Sequence, residues 1–275
     1  MNSPKIKIFI GSGEQSLLER KVLIYSIHKH TQRDLDIRVF NGTHNAIETS
    51  DGKPVPAPLP LHLKYRNLTE FSLYRYLIPE LCSFEGRAIY LDSDMVCLRD
   101  IGELFDAAID GHDFFAKPEY TDQDGDTMWA LSALLIDCER CRFDLDLIFA
   151  EIDQGLYTYT EFSQMGKRFL ARRPYRIGEM DPEWNVFDQC SGKTKLVHYT
   201  NQLTQPWKYP RHGFGDVWFS YLWDALAEGW VTESDIDLAI QRGYARPDLR
   251  EGNSPPRLNR LKAFLLRRRE SAPAV

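Results

Sequence analysis

The feature that most constrains this chain is the stretch Arg87-Ala88-Ile89-Tyr90-Leu91-Asp92-Ser93-Asp94-Met95-Val96, in which an apolar run ends abruptly in two aspartates spaced i, i+2. An apolar, strand-forming run bounded by charge reads as a strand buried on both faces, and such strands belong to parallel sheets covered by helices. Sheets of that kind present functional side chains at their carboxyl edge. Alternate residues of an extended segment point the same way, so Asp92 and Asp94 face one place while Ser93 faces elsewhere. Carboxylate oxygens suit hard divalent cations such as Mn(II) or Mg(II). The stretch therefore implies an α/β fold with a metal held at the edge of its sheet.

The segments around it agree. Residues 5–10 read as a first strand, Gly11-Ser12-Gly13 as the loop after it, and Leu17, Leu18, Val22, Leu23, Ser26 and Ile27 as one face of a helix. With a second strand at 37–40 this makes a βαβ unit and a parallel sheet. A strand, a glycine loop and a helix open many nucleotide sites, and simple turns look the same. Residues 51–60 carry four prolines and read as an extended surface loop. Asn67 and Glu70 form a capping pair before an apolar stripe of Leu68, Phe71, Tyr74, Leu77 and Ile78, which predicts a helix. Arg75 shares a different face of that helix with Ser72, where it is either solvated or a donor-site arginine reaching toward a phosphate or toward Asp92 and Asp94. Further strands are expected at 113–116, 133–137 and 195–200, and helices at 145–152 and 216–228. Residues 157–162 read as loop or short strand, and 181–185 as a turn with an aromatic anchor. His198 closes its strand as the aspartates close theirs, and one imidazole with two carboxylates makes a divalent-metal site.

Composition excludes several classes. The charge balance of 34 basic against 40 acidic residues, net −6, gives no global basic field, so nucleic acid is not an expected partner. Five cysteines include a C-x-x-C at Cys138 and Cys141 without a second pair at zinc spacing, which points to packing and to the reduced thiols of a cytoplasmic protein. No signal-type apolar region opens the chain, and no apolar run reaches the roughly 18 residues needed to cross a bilayer. The aspartates of 120–126 lack the glutamate of a calcium loop. A length of 275 residues fits one domain over 1–250, followed by a basic amphipathic tail over 251–275. In that tail Leu258, Leu261, Phe264, Leu265 and Arg267-Arg268-Arg269 suit either peripheral docking on anionic lipid or packing on the protein's own domain.

A divalent ion at a sheet edge can bridge a diphosphate and neutralise the charge that builds on a leaving nucleoside diphosphate. The chemistry that follows is glycosyl transfer. Four segments in order carry a resemblance: residues 69–79 (TEFSLYRYLIP), residues 89–94 (IYLDSD), residues 181–185 (DPEWN), and His198-Tyr199 followed by Pro206-Trp207. Together they resemble glycosyltransferase family 8 over about residues 5–210. The resemblance implies a GT-A fold, a Rossmann-like, mostly parallel mixed sheet flanked by helices. It also implies Mn(II)-dependent retaining transfer, usually of a hexose from a UDP-sugar donor to an acceptor such as a saccharide or glycolipid. Carried over by position, Asp92, Asp94 and His198 are the metal ligands, Arg75 and Ser93 lie at the donor, and Ile10, Gly11 and Ser12 lie against its nucleobase.

The sequence also departs from the family pattern. After the histidine, Asn201 stands for a glycine, one residue is inserted, and Gln205 precedes Pro206-Trp207 where a diphosphate-binding lysine is usual. Lys208, just beyond Trp207, is the candidate replacement. Ala130 and Ser132 stand where an asparagine and a glycine are usual. For the catalytic acidic group Glu161 fits the expected distance, and Asp153-Gln154 fits more of the letters. Two rivals follow: a nucleotide-sugar-binding protein without turnover, and a haloacid-dehalogenase-type phosphatase using Asp92 and Asp94. Trp129, Trp184 and Trp207 are either sugar platforms or core residues.

Overall fold

The structure, a computed structural model, describes residues 4–49, 53–58, 71–121 and 127–253. In chain order its strands are β1 (Ile6–Ser12), β2 (Leu35–Asn41), β3 (Ala46–Glu48), β4 (Val55–Pro56), β5 (Arg87–Asp92), β6 (Met95–Cys97), β7 (Phe114–Thr121), β8 (Thr127–Asp137), β9 (Ile177–Glu179), β10 (Val186–Phe187) and β11 (Leu196–His198). The α-helices are α1 (Leu17–His30), α2 (Ile78–Leu81), α3 (Gly102–Phe105), α4 (Leu145–Asp153), α5 (Tyr159–Ser163), α6 (Lys167–Arg172), α7 (Gly215–Ala227) and α8 (Glu233–Gln241).

Among the described residues an eight-stranded mixed sheet runs in the order β4-β3-β2-β1-β5-β8-β7-β9, and a three-stranded sheet runs β10-β11-β6. Parallel pairing joins β1 to β2 and β5, the βαβ arrangement the sequence implies, and returns between β7 and β9. β8 enters antiparallel between β5 and β7. Pro56, which has no N–H to give a ladder, sits in the edge strand β4, where a missing donor is tolerated.

The alternation of β1 and β5 decides the layers. Ile6, Ile8 and Ile10 with Ile89 and Leu91 face one core, where Leu23 and Ile27 of α1 meet them; Phe9, Ala88 and Tyr90 face the opposite core. The other side of α1 contributes Leu18, Val22 and Tyr25 to a third cluster with Trp207, and with Trp218 and Leu222 of α7. Burying each such large apolar side chain contributes about 1.5–3 kcal/mol. No helix of the described residues is long and apolar enough to cross a membrane.

Two segments fold differently from their expectation. Of residues 157–162, the first two are loop as expected, but from Tyr159 the chain is helical, because Thr158 and Glu161 form a capping box that starts α5. The described part of the helix expected around Arg75 is a 3-10 turn, Tyr74–Leu77, followed by the single turn of α2. Its predicted start at Asn67 lies outside the described residues, as do the loop at 122–126 and the tail from 254 on.

Candidate metal and donor site

The aspartate pair lies where the chain changes sheets. β5 ends at Asp92 in the large sheet, Ser93 and Asp94 form a bend, and β6 begins at Met95 in the small one. β11 pairs antiparallel with β6 so that His198 lies opposite Met95. This pairing brings a histidine more than a hundred residues downstream back to the bend. One ligand atom from each of Asp92, Asp94 and His198 lies within 4.8 Å of the others.

Each of these three side chains is oriented by a second group. Asp92 Oδ1 accepts from the Tyr90 hydroxyl at 2.6 Å and lies 3.3 Å from Arg75 Nη2. The Arg75 guanidinium is otherwise fixed by the Ser72 carbonyl at 2.9 Å and the Leu131 carbonyl, and it stacks 4.6 Å from the Tyr90 ring. Burial pushes the Asp92 carboxyl up from its ordinary pKa, with Arg75 opposing and Asp94 adding to the rise. His198 Nδ1 meets Asn185 Oδ1 at 3.1 Å, and Asn185 Nδ2 donates to Ser132 Oγ at 3.0 Å. That places the imidazole proton on Nδ1 and turns the Nε2 lone pair toward Asp94 Oδ1, 3.1 Å away. Burial works against the charged imidazole, but Asp94 and Asp92 outweigh it, and the pKa of His198 lies above the ordinary histidine value.

The donor set fits a divalent cation. A nitrogen and a carboxylate oxygen 3.1 Å apart match the cis edge of an octahedron with bonds of about 2.1 Å. Without a cation, two lone pairs would face each other across that distance unless a proton lay between them. Asp92 keeps Oδ2, Asp94 keeps Oδ1 and His198 keeps Nε2 for the ion.

A cavity of about 240 Å³ opens beside these ligands, lined among others by Arg75, Trp129, Ser132, Gln164, His198 and Thr200. Trp129 also lines an open trough of about 400 Å³ with Lys167, Leu170 and Ala171, so this residue is common to the two spaces. Trp184 and Trp207 are core residues, 2% and 1% exposed.

The other residues singled out in the sequence occupy different surroundings. Gly11 pairs with Asp92 across the parallel β1–β5 register, and a Cβ there would come within 2.2 Å of the Tyr90 hydroxyl oxygen. Ile10, Ser12 and Ser93 are buried beside it, with the Ser12 hydroxyl directed to the Gly13 carbonyl. Lys208 is exposed and does not line the cavity; its charge acts on Glu19, whose burial pushes that carboxyl up to about 8. Glu161 spends its carboxylate on the Thr158 backbone N–H at 3.0 Å and lies 3.5 Å from Arg168. It does not line the cavity, whereas Gln164, three residues on, does. Sequence reasoning passed over Gln164 and over Asn185 as the histidine's partner, and marked Gln205 only as a departure from the family pattern. The capping signature Thr158-x-x-Glu161 could have moved attention from Glu161 to the end of its helix.

Comparison with known proteins agrees with this geometry. No family model matches the chain. It is 26% identical over 181 residues to glycosyltransferase GlyB of Streptococcus pneumoniae, covering 58% of this chain and 44% of that protein. It is 24% identical over 246 residues to probable galacturonosyltransferase-like 4 of Arabidopsis thaliana, covering 85% of this chain and 62% of that one. The chain thus spans less than two thirds of either relative. The fold matches crystal structures of GlyE from Streptococcus pneumoniae (TM-score 0.57, 15% identity, 85% of this chain and 64% of that one) and of an active-site mutant of LgtC (TM-score 0.57, 14% identity, 80% and 96%). The chain has the GT-A glycosyltransferase fold and resembles glycosyltransferase family 8.

Proposed function

We propose that this protein is a metal-dependent retaining glycosyltransferase that moves a hexose, glucose or galactose, from a UDP-sugar to a saccharide or glycolipid acceptor. The observation that carries the reading is the convergence of one ligand atom each from Asp92, Asp94 and His198, with His198 and Arg75 both lining the adjoining cavity. A bound Mn(II) or Mg(II) supplies charge neutralisation for the departing diphosphate. The remaining work falls to the chain. Asp92, Asp94 and His198 hold the ion, and Arg75 fixes Asp92 while adding positive charge at the donor side. The Gln164 side chain lies along the sugar cavity, and Trp129 is common to it and to the trough in which an acceptor sugar would rest on the indole face. One domain over residues 1–250 carries this chemistry, and the basic tail over 251–275 suits peripheral contact with an anionic membrane.

The test is a screen of radiolabelled nucleotide sugars for hydrolysis with and without Mn(II), run beside thermal melts with the corresponding nucleoside diphosphates. Mn(II)-dependent release of hexose from a UDP-sugar is the expected result. A metal-dependent UDP shift without turnover of any donor would instead favour a nucleotide-sugar-binding protein, and silence toward every nucleoside diphosphate would remove both readings.

A further inference from the structure

Gln205 stands where the family resemblance leads one to expect a diphosphate-binding lysine, and its side chain is engaged elsewhere. It is 4% exposed, and its Nε2 donates to Asp94 Oδ2 at 3.0 Å and to the Tyr199 carbonyl at 2.9 Å. Both partners are acceptors only, so the amide has a single satisfactory orientation, with nitrogen toward Asp94. The Tyr199 N–H in turn donates to the Asp94 carbonyl at 3.0 Å. Asp94, Tyr199 and Gln205 therefore close a circuit that joins the metal-binding bend to the residue after His198.

We infer that Gln205 is the positioning residue of the Asp94 half of the metal site, setting the rotation of that carboxylate so that Oδ1 lies beside His198 Nε2. The inference rests on the metal-dependent reading above. Rotation about the bond to an aspartate carboxyl is otherwise broad, and a bond to Oδ2 removes that freedom. The neutrality of the amide matters as much as its reach. A lysine at this place would bring an ammonium to the same carboxylate and compete with the cation for its charge, whereas an amide orients the group and leaves the charge to the ion.

The experiment is a Mn(II) titration followed by electron paramagnetic resonance of the free ion, with metal-free thermal melts, on the wild type, Gln205→Leu and Gln205→Lys. Removing an orienting partner of a metal ligand lowers affinity about 10–100-fold, the fall expected for Gln205→Leu. That variant also leaves the buried Tyr199 carbonyl without a donor, so it should melt at lower temperature too. Gln205→Lys separates the two effects: its ammonium can still donate to both acceptors, so its metal-free melt stays near wild type while Mn(II) affinity falls. Both variants binding Mn(II) as tightly as wild type would overturn the proposal and reduce Gln205 to a strut of its loop. A wild-type protein that binds no Mn(II) would fail before any variant is compared, which identifies the metal-dependent reading as the part that broke.

Discussion

The two carboxylates of the site are held in opposite ways. Asp92 is clamped by a charged group and a phenol, Arg75 and Tyr90, both within 17 residues of it in sequence. Asp94 is clamped by a neutral amide 111 residues away and faces an imidazole on a neighbouring strand. A charged clamp balances its carboxylate's charge even without a metal, while a neutral clamp fixes direction alone. Without a metal, the Asp92 half is balanced by the permanent charge of Arg75, whereas the Asp94 half is balanced only while His198 carries its proton.

The largest effect that could break this contrast comes from the aspartates themselves. Asp94→Asn and Asp92→Asn should each cut donor turnover by about two to three orders of magnitude, since removing one such electrostatic contribution costs roughly 3–4 kcal/mol. Their metal-free stabilities should differ. Asp92→Asn strands the buried Arg75, 9% exposed in its side chain, and breaking a buried pair costs about 3–5 kcal/mol. Above the folded pKa of His198, where the imidazole is neutral, Asp94→Asn should melt within a few degrees of wild type. Equal melting temperatures would show that Arg75 does not balance Asp92. Next in size is Arg75→Lys, which keeps the charge but cannot reach the Ser72 carbonyl, the Leu131 carbonyl and Asp92 together. It should lose about 1–3 kcal/mol in chemical denaturation, because a buried carbonyl is left unpaired.

A pH titration sharpens the Asp94 half. The pKa of His198 is raised above its ordinary 6.5, with burial opposing and Asp94 and Asp92 prevailing. The group is raised, so the stability it contributes is fully present below 6.5 and is lost as pH rises through the folded value. A metal takes the neutral imidazole, so Mn(II) must displace one proton below the folded value. Affinity should climb about tenfold per pH unit there and level off above it. A flat profile across that window would mean that His198 is not a ligand.

Legibility in the sequence follows the same division. That Arg75, Asp92 and Asp94 lie near one another could be read because strand period and chain proximity are local properties. His198 could be read from its place at the end of an apolar run. Gln205 showed only as a deviation from a pattern, since its bond to Asp94 depends on the β6–β11 pairing and on the turn that follows it, and neither has a local periodic signal. The core strands were legible from apolar alternation. Within the described residues the helix expected around Arg75 is a 3-10 turn, because Phe71, Tyr74 and Leu77 at spacings of three suit that turn as well as an α-helix.

The smallest predicted effect separates a structural carboxylate from a chemical one. Glu161 has the sequence distance of a catalytic acid, yet its carboxylate closes the α5 capping box with Thr158. A glutamine at the third helical position serves a capping box as well as a glutamate does. Glu161→Gln therefore forfeits chiefly the 3.5 Å pairing with Arg168, whose side chain is 59% exposed, and such surface pairs contribute roughly 0–1 kcal/mol. Melting temperature should move by no more than a few degrees, and metal-dependent donor hydrolysis should stay at the wild-type rate. Gln164→Ala, cut back from the cavity wall, should slow that hydrolysis while leaving the cap untouched. Should Glu161→Gln instead lose turnover by orders of magnitude with an unchanged melt, the carboxylate must leave its cap when substrate binds, and the chemistry would belong to the start of α5 rather than to its end.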